Sequence, residues 1–157
     1  MNTLLQRILL WLVLFISPYA LYAQNEYTQN DAAVCQWVKK ILLNTLSVDY
    51  NYDSSNDAEL HKNYTGNAWN ALTDFLGNYL EVIKSQQLTL HPVFVTEPYI
   101  AEKGIALNIH YWRVNEVVSI PELNLTIAFS LIVIEANPLP QGRLLIQSMD
   151  MVKKESQ

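Results

Sequence analysis

The chain has one cysteine, four glycines and ten basic residues among 157, and each scarcity removes a class of function. A lone thiol, Cys35, closes no internal disulfide and builds no cysteine metal cluster, so the fold must stand on its apolar core. Cys35 is then either buried as a small apolar residue or paired with another chain. Four glycines cannot easily form a phosphate cradle, and G-x-S-x-G, P-loop and G-x-G-x-x-G patterns are missing, which leaves hydrolase and nucleotide readings without a foothold. Ten Lys and Arg stand against fifteen Asp and Glu, a formal charge of −5. That balance suits solubility and argues against a nucleic-acid partner, which would demand a basic patch. The three histidines, His61, His91 and His110, have irregular spacing with no H-x-x-x-H pair, so no metal site and no cofactor is expected.

What is present begins with an apolar start. In "MNTLLQRILLWLVLFISPYALYAQ" a positive Arg7 precedes the unbroken run Ile8–Ile16, and Pro18 then interrupts it. A signal peptide needs an apolar stretch of about 7–15 residues and a spanning helix roughly 20. Residues 1–23 therefore read as an export signal cut between Ala23 and Gln24. An uncleaved N-terminal anchor is the alternative, supported by Leu21 three positions before the cut. Cleavage after Ala23 leaves 134 residues and, by removing Arg7, a charge of −6. That length suits one domain with a real core. Residues 24–30 read as a linker, 31–152 as the domain and 153–157 as a tail.

The domain opens in helical period. Val34, Trp37, Val38, Ile41, Leu42, Thr45 and Leu46 recur at three- and four-residue steps, predicting a long amphipathic helix with Lys39 and Lys40 on its wet face. "DYNYDSSND" is a turn, and Asp57 is placed to cap a short helix "DAELHKNY". "YTGNAWNALTDFLGN" then offers capping oxygens at Thr65 and Asn67 before Trp69, Leu72, Phe75 and Leu76. Trp69 is expected to pack this helix start onto a sheet, and Gly77–Asn78 to stop the helix before a further short one over 79–86. Asp74 and Glu81, seven apart, could sit on one helix face, an arrangement common among solvated acids.

From Leu88 the period changes to two. "LTLHPVFVTEPYIA" contains Pro92 and Pro98, which cannot donate to a ladder, so this strand must be bent, broken or at an edge. "EKG" reads as the hairpin turn, with Gly104 at positive φ. "IALNIHYWRV" alternates, as does "ELNLTIAFSLIVIEA" through Leu123, Leu125, Ile127, Phe129, Leu131 and Val133. "NPLPQG" is a turn or loop and "RLLIQSMDMV" a last strand. Helices first and strands last give an α+β domain, N-terminal helices on a four-stranded antiparallel sheet.

The order of a tryptophan-bearing helix, an "NY" turn, "YTGNAW", "NYLEVIKSQQL", the hairpin strand "HYWRV" and a terminal "GRLLIQSM" resembles the DotI/IcmL/TraM family over roughly Asp31 to Met151. Members are inner-membrane components of type IVB secretion systems and related conjugation machines. The resemblance is to their periplasmic domain and implies a nuclear-transport-factor-2-like fold, with helices in the hollow of a curved antiparallel sheet. The matching positions are Trp37, Tyr64, Trp69, Trp112 and Arg113, fold-defining rather than catalytic. Members of the apparatus carry a cytoplasmic stretch and an anchor ahead of the domain, where this chain has a signal-like start. A bacterial source would make Asn63-Tyr-Thr and Asn124-Leu-Thr coincidental matches to the glycan acceptor pattern.

The expectation is a non-enzymatic, periplasmic or exported domain that binds secretion-system proteins or copies of itself. It would meet a membrane only through an uncleaved N-terminus. The rival is a small-ligand binder or pocket enzyme of the same fold, which needs a desolvated acid with a partner inside the hollow.

Overall fold

The structure is a computed structural model that describes residues 31–53, 57–135 and 143–154. The chain divides after Val34 into two units, Met1–Val34 and Cys35–Gln157. Of the first, only residues 31–34 are described, as the opening of a helix. The expected signal cut at Ala23–Gln24 and the expected turn or loop "NPLPQG" lie outside the described residues.

Helix α1 (31–46) buries Val38, Ile41, Leu42, Thr45 and Leu46, the stripe its spacing predicts, while Trp37 sits half-buried at the margin. Lys40 is exposed as expected. Lys39 is not simply solvated: its ammonium group bonds the Glu97 carboxylate at 2.7 Å and lies 5.5 Å from the centre of the Phe94 ring. The aliphatic stem of a lysine reaches across apolar surface and delivers its charge beyond it. After the helix the backbone is tied back to the next segment, with the Leu90 N–H donating to the Val48 carbonyl at 2.9 Å and Asp49 bridging Thr89.

Helix α2 (Ala58–His61) is short, and Asp57 precedes it without a side-chain capping bond. Its carboxylate accepts instead from the Tyr52 hydroxyl, and burial together with that bond pushes the Tyr52 pKa upward. Helix α3 (Gly66–Ser85) begins at a Thr65 cap whose hydroxyl oxygen accepts from the Ala68 N–H at 3.4 Å. It runs through Gly77–Asn78, where the sequence predicts a stop. The reason is burial: Leu72, Leu76 and Ile83 lie on one inward face, and each fully buried side chain contributes about 1.5–3 kcal/mol. An exposed helical glycine costs about 1 kcal/mol, so the glycine loses. The Asn78 amide helps by donating back to the Asp74 and Phe75 carbonyls.

Four strands follow: β1 (Val93–Ala106), β2 (Ile109–Ile120), β3 (Leu125–Glu135) and β4 (Leu144–Lys154), antiparallel in the order β1-β2-β3-β4. β4 thus extends through Lys154, into the segment read as tail. β1 is an edge strand with three register shifts, one of them spanning Pro98, which has no N–H for the ladder; Pro92 falls just before the strand. Gly104 is not the turn. It pairs with Tyr111 inside the ladder, where an added Cβ would stand 3.0 Å from the tyrosine ring, so close approach explains this glycine. The turn falls at Leu107–Asn108, both at positive φ (52° and 62°), the two-residue geometry that suits strand twist. The 3₁₀ turn Pro121–Leu123 ends at Asn124 in the left-handed region and links β2 to β3.

Alternation sorts the sheet into two faces. Trp112, Val114, Val118 and Ile120 on β2 pair with Val133, Leu131, Ile127 and Leu125 on β3, and all eight are buried. Ile146 and Met149 continue this face on β4. The result is an α+β domain, helices against a four-stranded antiparallel sheet in the nuclear-transport-factor-2-like arrangement. Among the described residues no helix is long and apolar enough to cross a membrane.

Candidate functional site

Two places hold the residues singled out from the sequence, and they do not converge. The first is the turn Asn63–Thr65, which fastens the helices to β4. Tyr64 forms a parallel bridge with Ile146, the Thr65 N–H donates to the Ile146 carbonyl, and the Ile146 N–H donates to the Asn63 carbonyl, both at 2.9 Å. The Thr65 hydroxyl also donates to the Gln147 carbonyl at 2.6 Å, and Arg143 reaches the Lys62 carbonyl. Above this junction the buried Tyr64 hydroxyl lies 2.8 Å from the Thr45 hydroxyl. Thr45 already donates its single proton to the Ile41 carbonyl, so Tyr64 is the donor between the two. Burial holds the Tyr64 pKa well above its usual value.

Trp69 is half-buried rather than packed flat on the sheet. Its ring lies between His61 and Tyr64, at centroid distances of 5.1 and 5.5 Å. The cause is register: Ala68, one residue earlier, takes the buried position in line with Leu72 and Leu76, which turns Trp69 to the flank.

The second place is β2, whose alternation divides Trp112 from Arg113. Trp112 is buried on the helix-facing side with the His110 ring stacked 6.3 Å away. Arg113 points to the other side, where its Nε donates to Glu102 at 3.2 Å, and the Tyr111 hydroxyl donates to the same carboxylate at 2.8 Å. Those two bonds, Tyr111's first, hold the Glu102 carboxyl below its ordinary range.

Two shallow grooves lie on the side of the sheet away from the helices. One, about 340 Å³, is lined by Glu102, Ile109, Tyr111, Arg113, Ile132 and Ile134. The other, about 310 Å³, runs over Tyr99, Asn115, Val117, Ser130 and Asp150 toward Lys154. Tyr99 and Val152 stand exposed beside the second groove and Leu107, 95% exposed at the hairpin tip, beside the first, while Val95 and Ile105 are exposed along β1. Apolar surface of this extent marks a contact region more often than a solvent face. Among the described residues β1, an outermost strand, is flanked in the sheet by β2 alone, and an unpaired edge is a template for a further strand.

The helix-facing side offers little chemistry. Asp74 and Glu81 are exposed on α3, and the Asp49 carboxylate accepts from the Asn51 N–H in its own turn. His91 donates its backbone N–H to Glu122 and pairs with it through the ring at 2.8 Å, on the exterior. Among the described residues no group of three or more His, Cys, Asp or Glu is placed to hold a metal ion. One ionisable residue breaks the apolar pattern, and the sequence reading missed it. Glu116 is 1% exposed, in the same inward row as Trp112, Val114 and Val118. Its signal was available, since Glu116 lies four residues beyond Trp112 in "HYWRVNEVVSI" and on a strand faces the core if Trp112 does.

Comparison with known proteins gives the following. No family model matches the chain, and no curated protein matches it. Two solved structures do. The periplasmic domain of DotI superimposes with a TM-score of 0.65 and 18% identity, over 78% of this chain and 94% of that one. A crystal structure of an IcmL-like type IV secretion system protein from Legionella pneumophila subsp. pneumophila str. Philadelphia 1 gives 0.51 and 17%, over 80% and 94%. The chain therefore has the fold of the DotI periplasmic domain and of the IcmL-like protein, the one its sequence resemblance implied.

Proposed function

We propose that this protein is a non-enzymatic, exported interaction domain that acts in the assembly of a type IV secretion apparatus of the Dot/Icm kind, binding secretion-system proteins or further copies of itself. The observation that carries the reading is the contrast between the two sides of the sheet. The helix-facing side is closed by apolar side chains, whereas the opposite side and the β1 edge present grooves and exposed apolar residues. A partner strand laid along β1 gains main-chain hydrogen bonds from the edge and selectivity from alternate side chains. The likeness to two secretion-system structures supports the same reading. Trp37, Tyr64, Trp69, Trp112 and Arg113 serve in it as positions that build the domain, with no catalytic role.

Export places the domain in the periplasm after removal of Met1–Ala23, or at the membrane if that segment is kept. Mass spectrometry of the exported protein decides between them, since a species beginning at Gln24 supports cleavage and an intact Met1 refutes it. The functional reading is tested by crosslinking in cells that express the apparatus, followed by capture through a C-terminal tag. Recovery of secretion-system proteins or of crosslinked copies supports it; a strictly solitary monomer counts against it.

A further inference from the structure

Glu116 has surroundings that suit a leucine. Its neighbours in the inward row of β2 are Val114 and Val118, and Phe129 faces it from β3. Among the described residues neither carboxylate oxygen has a hydrogen-bond partner. On the helical side Tyr64, whose pKa the Glu116 charge helps to raise, donates to Thr45, and Lys39 is held by Glu97. The buried residues of α3 and β4, including Leu72, Leu76 and Met149, are apolar. Desolvation alone accounts for the state of the carboxyl, whose pKa is raised from 4.5 to about 8.

The ladder beside Glu116 is also irregular. Thr96 pairs with Val117 and Tyr99 with Asn115, so that two β1 residues, Glu97 and Pro98, stand against one residue of β2. Such a bulge weakens local pairing, and Pro98 has no N–H to give. The least secure stretch of the edge strand therefore lies next to the one buried group that water would most favour once ionised.

We propose that Glu116 is a proton-binding site that couples closure of the β1–β2 ladder at the Glu97–Pro98 bulge to pH. Protonated, the carboxyl stays sealed and the ladder is closed. Ionised, it cannot remain unpaired among apolar side chains, and water enters at the Glu97–Pro98 bulge, loosening β1 from β2. The sign follows from linkage. Between pH 4.5 and about 8 the closed state keeps a proton that the open state releases. Closure is therefore strongest below the lower value, weakens as pH rises and levels off above the upper one.

The test uses the purified full chain and its Glu116→Gln variant. Amide exchange at Thr96–Tyr99 and Asn115–Val117 is followed from pH 6 to pH 9 and corrected for the intrinsic rate. The wild type should open more at pH 9 by up to about a hundredfold, and the glutamine variant should show no such rise. Carbon NMR of the wild-type Glu116 carboxyl supplies a second readout that needs no variant, and it should titrate well above the usual glutamate range. A carboxyl titrating near 4.5, or equal pH dependence of exchange in both proteins, overturns the proposal.

Discussion

Removing one hydroxyl from the Thr45–Tyr64 pair should cost different amounts depending on which partner loses it. Tyr64 donates and Thr45 accepts, while Thr45 spends its own proton on Ile41. Tyr64→Phe thus deletes a donor and leaves Thr45 with its proton still placed and only an unused lone pair. The loss should be that of one neutral hydrogen bond, about 1 kcal/mol. Thr45→Val keeps the shape but strands a phenolic O–H that is almost wholly buried, and a buried unsatisfied donor costs about 1–3 kcal/mol. The double variant removes both groups and should lie within about 1 kcal/mol of the wild type, so that the two losses do not add. Against a total stability of about 5–15 kcal/mol, these differences are measurable by urea unfolding at fixed pH, with unchanged m-values confirming a common unfolded state. Equal losses from the two single variants, or a double variant that loses their sum, would refute the donor assignment and with it the buried link between α1 and the Asn63–Thr65 turn.

Other substitutions test other parts of the fold. Trp69→Ala should cost about 3 kcal/mol in chemical denaturation, at the lower end of the range for aromatic truncation, because the ring is only half-buried between His61 and Tyr64. Leu107→Gly should stabilise the domain by about 1 kcal/mol in thermal unfolding, since it relieves a positive φ on an exposed leucine; a loss would mean the leucine packs against something. Lys39→Gln should cost less than 1 kcal/mol and progressively less as salt is added, because the pair with Glu97 is partly exposed. Global stability should decline from pH 5 to pH 8 by up to about 4 kcal/mol, the direction set by the raised Glu116 pKa. Urea midpoints across that range check it, and a midpoint that rises with pH contradicts it.

Most of the architecture is legible in the sequence because burial repeats with a period. The stripe Val38–Leu42–Leu46 and the alternation Leu125–Ile127–Phe129–Leu131–Val133 name their own buried faces, and Pro98 announces an irregular edge. Single-residue punctuation misleads where tertiary contacts outweigh it. Gly77 is a poor helix residue carried by the inward Leu76 and Ile83, and Gly104 is a strand residue made necessary by the Tyr111 ring. The site is less legible than the fold. Trp112 and Arg113, adjacent in sequence, serve opposite faces, and Glu116 is conspicuous only once the inward face of β2 is known.

The central claim is that the helices close one side of the sheet and leave the other side and the β1 edge to meet partners. A photo-crosslinking residue placed at Tyr99 or at Ile105 in the full chain, irradiated in cells that express the apparatus, tests it most directly. Covalent adducts to secretion-system proteins or to a second copy at these positions are the predicted result. Adducts absent from both, together with a small molecule retained against Glu116 on the helix-facing side, would contradict it.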